Sequence, residues 1–378
     1  MQTVSLCMIV YNEETNIRRC LESVRGFADE IIAVDTGSTD RTRAICEEYG
    51  ARVFDYKWAE DFSAARNYGV SKASCDWILL LDADEEIKIR DSAGLKQYLQ
   101  NTAYDMLAIR MTHFYGNQPA DEKRAHFSGG LRLIRNDGAV RFTGNIHEKA
   151  DTTDKRVDHA AETRRFIQIL HYGYMENADK NKTNRNISML LKEKDKQSDN
   201  PWTDYYLAAE YYGLGKLHEA YHEVNAAIAC FLIKGSKPPS LVYKLKYDML
   251  IASGCYDTAA HKGINNAIAL YPDYVDLYFY KGMLEYNHGE YEKARNALRC
   301  CLILGEINTE HLILSGSGSF LALHYLGLCH EKQGEPRQAA EAFRQVRVLY
   351  PGFDSAEIRF KNPKENGSGQ INLSDVKA

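Results

Sequence analysis

Two hydrophobic rhythms divide the chain. Before about residue 200 short apolar runs alternate with amphipathic segments, and from about Trp202 onward paired helical spacing takes over. Residues 4–10, Val-Ser-Leu-Cys-Met-Ile-Val, predict a buried strand, and Tyr11-Asn12-Glu13-Glu14 predicts a polar turn. Ile17, Cys20, Leu21 and Val24 predict an amphipathic helix over residues 15–25, capped by Thr15 or Asn12. Residues 30–35 predict a second strand, 41–49 a helix closed by Gly50, and 51–54 a third strand. This βαβαβ order predicts a parallel sheet with right-handed crossovers. A further helix opens near Asp61 and feeds Trp77-Ile78-Leu79-Leu80-Leu81, a run too short for a typical helix and apolar on both faces of a strand.

That run ends in Asp82-Ala83-Asp84-Glu85. In open α/β sheets ligands bind at the carboxyl ends of strands. Two carboxylates one residue apart can share a hard cation such as Mg²⁺ or Mn²⁺, although an acidic turn after a strand has the same pattern. A Rossmann dinucleotide site would need Gly-x-Gly-x-x-Gly after the first strand; Tyr-Asn-Glu-Glu stands there instead, which excludes it.

Composition narrows the class. A formal net charge of −5 with 26% charged residues points to neither nucleic acid nor a membrane surface as partner. Nine cysteines without a Cys-x-x-Cys pair are expected as free thiols. No apolar stretch approaches the roughly 20 residues needed to span a bilayer. The start, Met1-Gln2-Thr3-Val4, has no signal-peptide profile, so a cytoplasmic location is expected.

Four segments in order, Val-Tyr-Asn-Glu-Glu (10–14), Val-Asp-Thr-Gly-Ser-Thr-Asp-Arg-Thr (34–42), Phe-Ser-Ala-Ala-Arg-Asn (62–67) and Leu-Asp-Ala-Asp-Glu (81–85), resemble family 2 glycosyltransferases of the GT-A fold. The resemblance covers roughly the first ninety residues and implies an inverting transferase that uses a nucleotide-diphosphate sugar, with a UDP-sugar as the expected donor. By position it implies Tyr11, Glu13, Asp35 and Arg66 as contacts of base or ribose. It implies Asp82 and Asp84 as the motif for Mg²⁺ or Mn²⁺, with Asp84 the direct ligand.

Residues 106–111 predict another strand and 113–128 an irregular polar insertion that shapes an acceptor site. Residues 130–135 alternate apolar and basic, a half-exposed strand, and Asn136-Asp137-Gly138 is a hairpin turn signal. The later series Arg-Leu-Ile-Arg (132–135), Phe-x-Gly (142–144) and Ile-His-Glu (146–148) resembles a bacterial subgroup with a tetratricopeptide domain after the catalytic one. That subgroup includes lipopolysaccharide-core β-glucosyltransferases and bacteriocin peptide S-glycosyltransferases of the sublancin type. Inversion needs a base for the acceptor proton; Glu148 is the first choice and His147 the second. A cysteine acceptor would ask less of that base, because a thiol ionises near pH 8–9. The resemblance also implies His171 as a further metal ligand, with Lys182 and Arg185 on phosphate.

In the second half Gly-Lys-Leu-His-Glu-Ala (215–220) recurs at 254–259, 289–294 and 334–339, its alanines 39, 35 and 45 residues apart. These periods bracket the tetratricopeptide length of about 34. The second copy carries Tyr247 where a small residue is expected, which predicts distorted packing there. Many of the 25 tyrosines fall on the first helices of these pairs, as inter-helix packing or as the lining of a groove. The expected architecture is therefore an α/β GT-A domain over residues 1–198, an all-α tetratricopeptide solenoid over 199–352 and a tail over 353–378 that is disordered from Asn362. The expected activity is metal-dependent hexosyl transfer to a peptide or protein, at a Cys or Ser side chain, with a homodimer through the repeats as a further partnership. A saccharide acceptor in surface polysaccharide synthesis and a catalytically dead repeat scaffold are the alternatives.

Overall fold

The computed structural model describes residues 2–158, 163–175, 180–196, 199–254 and 258–354, with the side chains of 180–182 and 258–262 left aside. The chain divides into two compact units, Met1–Ala178 and Asp179–Ala378. The division falls earlier than the expected 198/199 because the helix after residue 179 packs on helices of the repeat array.

The first unit runs β1 (Val4–Val10), α1 (Ile17–Ser23), β2 (Glu30–Asp35), α2 (Thr42–Glu48), β3 (Arg52–Asp55), α3 (Phe62–Val70) and β4 (Trp77–Leu80). It continues with β5 (Glu85–Ile89), α4 (Ser92–Asn101), β6 (Met106–Gly116), β7 (Ala125–Arg135), β8 (Phe142–Thr143), β9 (Lys149–Ala150), β10 (Val157–Asp158) and β11 (Ile167–Met175). The main sheet has the order β3-β2-β1-β4-β7-β6-β11-β5, with β10 paired to β6. The β3-β2-β1-β4 half is parallel, and β7 joins β4 antiparallel. The chain leaves β1 toward β2 and later returns to the other side of β1 as β4. The crevice of such a switch opens at the carboxyl ends of β1 and β4.

Alternation explains why these segments are strands. Leu6 and Met8 belong to one core with Ile17, Leu21, Ile45 and Leu95 of the helices, while Cys7 faces a second core with Ile78, Leu80 and Phe142. Trp77, Leu79 and Leu81 point into the first core. Each fully buried side chain of this size contributes about 1.5–3 kcal/mol, so a one-residue slip of β1 or β4 is strongly disfavoured. On the second face α3 lies close against β2. A Cβ added at Gly69 would meet Val34 Cγ2 at 2.8 Å, so a glycine is what lets the helix approach.

Residues 113–128 differ from the sequence expectation. Residues 113–116 and 125–128 are the ends of a long antiparallel hairpin, β6 with β7, and only the connection 117–124 is irregular. Half-buried His113, Tyr115, His126 and Ser128 alternate with buried Phe114, Ala125 and Phe127, and this polar-rich pattern reads as loop in one dimension.

The second unit contains α5 (Lys180–Lys196), α6 (Pro201–Gly213), α7 (Leu217–Ile233), α8 (Ser240–Ala252), α9 (Thr258–Leu270), α10 (Val275–Asn287), α11 (Tyr291–Leu304), α12 (Phe320–Lys332) and α13 (Pro336–Leu349). Paired helices pack throughout. Gly282 of α10 abuts Leu298 of α11, and Gly327 of α12 abuts Phe343 of α13, the small-against-large contact of each pair. The α8–α9 pair reverses it: Tyr247 of α8 is buried, and a Cβ at Gly263 of α9 would meet its hydroxyl at 2.9 Å. The distortion expected at Tyr247 is thus absorbed by exchanging the small residue to the partner helix. Part of the second repeat signature, Cys255–Asp257, and the tail from residue 355 lie outside the described residues. The described cysteines are free thiols, and no described helix is long and apolar enough to cross a membrane.

Tyr247→Ala should cost about 3–5 kcal/mol, the range for removing a buried aromatic side chain. Gly263→Leu should cost about 1–3 kcal/mol through overpacking. The double variant should cost less than the sum, because the new leucine occupies the vacated space. Urea unfolding curves check this, and strict additivity would contradict the exchange.

Candidate active site

The Phe-Ser-Ala-Ala-Arg-Asn segment shows how local sequence builds the site. Asp61 caps α3 by accepting from the Ala64 N–H at 2.9 Å. The Phe62 N–H donates to the Asn145 carbonyl, and Asn67 makes two hydrogen bonds with the backbone of Phe142, at 2.8 and 2.9 Å. The first turn of α3 and Asn67 therefore clamp the β8–β9 hairpin, whose turn carries Gly144-Asn145-Ile146-His147-Glu148. His147 adopts φ +54°, a left-handed conformation that costs of order 1 kcal/mol and is held by this clamp.

Between the two elements lies Arg66, buried. Its Nε donates to Glu148 Oε1 at 2.6 Å and its Nη2 to Asp82 Oδ1 at 3.1 Å. Its Nη1 is buried with no hydrogen-bond partner among the described residues. Burial works against the guanidinium's charge, but Asp82 and Glu148 outweigh it and hold the group firmly protonated.

Arg132 of β7 flanks Asp82 from the other side. Its Nη2 donates to Glu85 Oε1 at 2.6 Å, and its Nη1 stands 3.6 Å from Asp82 Oδ2. Burial would raise the Asp82 carboxyl, yet Arg66 and Arg132 hold it well below the usual carboxylate range. Glu85 is pushed up, chiefly by burial, with Arg132 opposing and the Asp82 charge adding. Its other oxygen accepts from the Asp82 N–H at 2.9 Å, which pins the acidic turn to β5.

Asp84 faces a different partner. Register pairs His171 of β11 with Glu85 of β5, and the Tyr172 N–H donates to the Asp84 carbonyl. This brings His171 Nε2 to 3.7 Å from Asp84 Oδ1. The β11 register against β6 shifts between His171 and Tyr174, and irregularities of this kind re-aim side chains beside sites. Gly173 sits inside the shift. A Cβ there would lie 2.5 Å from Asp84 Oδ2 and 2.7 Å from His171 Nε2, so only glycine keeps the space between these two atoms open. Burial pulls the His171 imidazole down, but Asp84, with Glu85 and Asp82 behind it, outweighs that and raises its pKa.

The structure thus joins Arg66, Asp82 and Glu148 in one contact network and Asp84 with His171 in another. Asp82 is turned to two arginines, and among the described residues no three His, Cys, Asp or Glu side chains already form a metal cluster. Tyr11 is exposed after β1. Glu13 accepts from Asn16 at 2.9 Å, and its N–H donates to Thr42 Oγ1. Asp35 caps its own turn, accepting from the Gly37 and Ser38 N–H groups at 3.1 and 2.8 Å. Asn12 ties the β1 turn to the β2 turn through Ser38 and Thr39. His147 reaches solvent, although the atoms packed around it and Lys149 favour its neutral form. Lys182 and Arg185 lie on α5, in the second unit; Arg185 donates to Asn186 Oδ1 at 3.3 Å, and the Lys182 side chain is outside the described residues. Sequence reasoning missed Glu85, Gly173 and the role of Arg132. The one signal for Arg132 was a basic residue recurring on a strand with an otherwise apolar face.

Comparison with known proteins follows this geometry. Residues 5–169 match the family described as glycosyl transferase family 2, and residues 320–353 match the tetratricopeptide repeat. The chain thus combines a glycosyl transferase family 2 domain with a tetratricopeptide repeat toward the C-terminus. It is 40% identical over 180 residues to a TPR repeat-containing protein of Synechococcus elongatus, covering 46% of this chain and 43% of that protein. It is 28% identical over 233 residues to the SPbeta prophage-derived glycosyltransferase SunS of Bacillus subtilis, covering 60% and 53%. The chain spans about half the length of these curated relatives. The solved structure of MamA protein, 19% identical with a TM-score of 0.37 over 45% of this chain and 87% of that one, is too distant to argue from.

In protein stripped of divalent cations, the raised pKa of His171 means that its contribution to stability is complete below about pH 6.5 and lost as pH rises through the raised value. Asp84→Asn should lower the His171 pKa measured by NMR titration. An unchanged pKa would contradict the Asp84–His171 pairing.

Proposed function

We propose that the protein transfers a hexose from a nucleotide-diphosphate sugar, with UDP as the nucleotide, to a peptide or protein acceptor with inversion of configuration and with Mg²⁺ or Mn²⁺ as cofactor. The observation that carries this reading is the open space between Asp84 Oδ2 and His171 Nε2, which Gly173 preserves. A carboxylate oxygen and an imidazole nitrogen suit Mn²⁺, and a few protein ligands leave room for diphosphate oxygens. Bound there, the cation would neutralise charge developing on the leaving diphosphate.

The chain's own residues have separable tasks. Arg66 has an unused buried N–H beside Asp82, and an oxygen of the donor would satisfy it. Tyr11, Glu13 and Asp35 stand at the strand ends where base and ribose would lie. Asp82, fixed by two arginines, orients the acidic turn and offers its exposed edge to the donor. Glu148 is the base for the acceptor proton, aimed by Arg66. His147, neutral and solvent-reaching, is the second candidate on that observation. The repeat array supports a peptide or protein as acceptor, since such arrays present extended binding surfaces.

Gly173→Ala should abolish Mn²⁺-dependent hydrolysis of UDP-sugars while leaving the circular dichroism spectrum unchanged; full activity in that variant would remove the proposed metal site. Glu148→Gln should retain UDP binding and slow turnover by about 10²–10⁴-fold, the usual worth of a general base. Should His147→Ala instead carry that loss with Glu148→Gln near wild type, the base is His147.

A further inference from the structure

One polar chain on the sheet is not accounted for by the donor site itself. His113 of β6 is the register partner of His171 on β11, and its Nδ1 lies 3.0 Å from His171 Nδ1. Its Nε2 lies 2.9 Å from Ser128 Oγ on β7. The two imidazoles meet edge to face, with centroids 5.1 Å apart, and Tyr174 packs against both. Three adjacent strands therefore deliver one continuous line of polar atoms, Ser128–His113–His171–Asp84.

We propose that His113 is a positioning residue: by accepting from His171 Nδ1–H and donating to Ser128, it fixes the His171 proton on Nδ1 and turns the Nε2 lone pair toward Asp84. The inference rests on the reading of Asp84 and His171 as metal donors. A neutral imidazole has one proton. A His171 that offers Nε2 to a cation must carry its proton on Nδ1, and the atom facing that proton is His113 Nδ1. His113 Nδ1 must then be bare, since two N–H groups cannot face each other at 3.0 Å. The His113 proton is left on Nε2, where the Ser128 oxygen accepts it. The two hydrogen bonds along the line, His171 to His113 and His113 to Ser128, then run in one direction. Groups that orient a metal-bound histidine in this way typically matter 10–100-fold for metal affinity.

The test is Mn²⁺ affinity in the presence of UDP, read by calorimetry or by the free-Mn²⁺ electron paramagnetic resonance signal rather than by turnover. His113→Phe, which keeps the ring and removes both nitrogens, should weaken Mn²⁺ binding by about 10–100-fold. His113→Asn, whose Oδ1 can stand where Nδ1 accepted, should recover most of that loss. Ser128→Ala leaves both imidazoles in place and should weaken binding by a smaller factor; it decides the matter if His113→Phe does not fold. A folded His113→Phe that binds Mn²⁺ like wild type overturns the proposal, as does a His113→Asn variant no better than His113→Phe. If the wild-type protein bound neither Mn²⁺ nor Mg²⁺ with UDP, the reading of Asp84 and His171 would fail, and this inference with it.

Discussion

Arg66 is the charge on which the rest of the site depends. It is buried between an acidic strand end and a hairpin turn more than sixty residues later, and its two ion pairs join them. A buried guanidinium is tolerated only where carboxylates repay its desolvation. Asp82 and Glu148 do so, and in return each is held in a single orientation. Removing Arg66 would leave a half-buried Glu148 without its ion pair, so the same contact that shapes the site also makes it costly to lose. Arg132 repeats the device on the opposite flank, bracing Asp82 and Glu85 together.

The backbone sets where that charge network can stand. Parallel β1, β2 and β4 end at one edge, so the turns after them, with Tyr11, Asp35 and Asp82, share it without any side-chain design. The antiparallel half adds what a purely parallel sheet could not. β5 turns back directly after Asp84, and β11 lies between β5 and β6, which sets His171 against Asp84 and His113 against His171. The groups at these strand ends thus stand on rigid strands, whereas Glu148 and His147 sit on a short hairpin held by α3. Under the proposed function, donor groups on rigid strands with the base on a separate, clamped turn would suit a transfer in which the donor stays fixed and acceptors differ.

Legibility followed the range of the interactions. β1, β2 and β4 were readable because burial on both faces forces an apolar run of strand length, and three of the four motifs stand at their ends, the fourth on α3. β5 was not, because Glu85-Glu86-Ile87-Lys88-Ile89 is short and mostly charged, and Glu85 is buried only because Arg132, 47 residues away, meets it. His113 and Ser128 lie in a segment whose polar positions face the site, so their alternation reads as loop. The Arg66–Glu148 contact spans 82 residues and leaves no local trace. In the repeats the periodic alanines and glycines were visible, but the exchange of Tyr247 for Gly263 was not, since a large residue at a small position looks like a defect until its partner is seen.

The central claim is that Asp84 and His171 hold a divalent cation that joins the nucleotide diphosphate to the sheet edge. Titrating UDP into the wild-type protein, once with Mn²⁺ and once with a chelator, tests it most directly. The account predicts that UDP binds at least about tenfold more tightly with Mn²⁺, a difference of roughly 1.4 kcal/mol. Equal affinity under both conditions would contradict it.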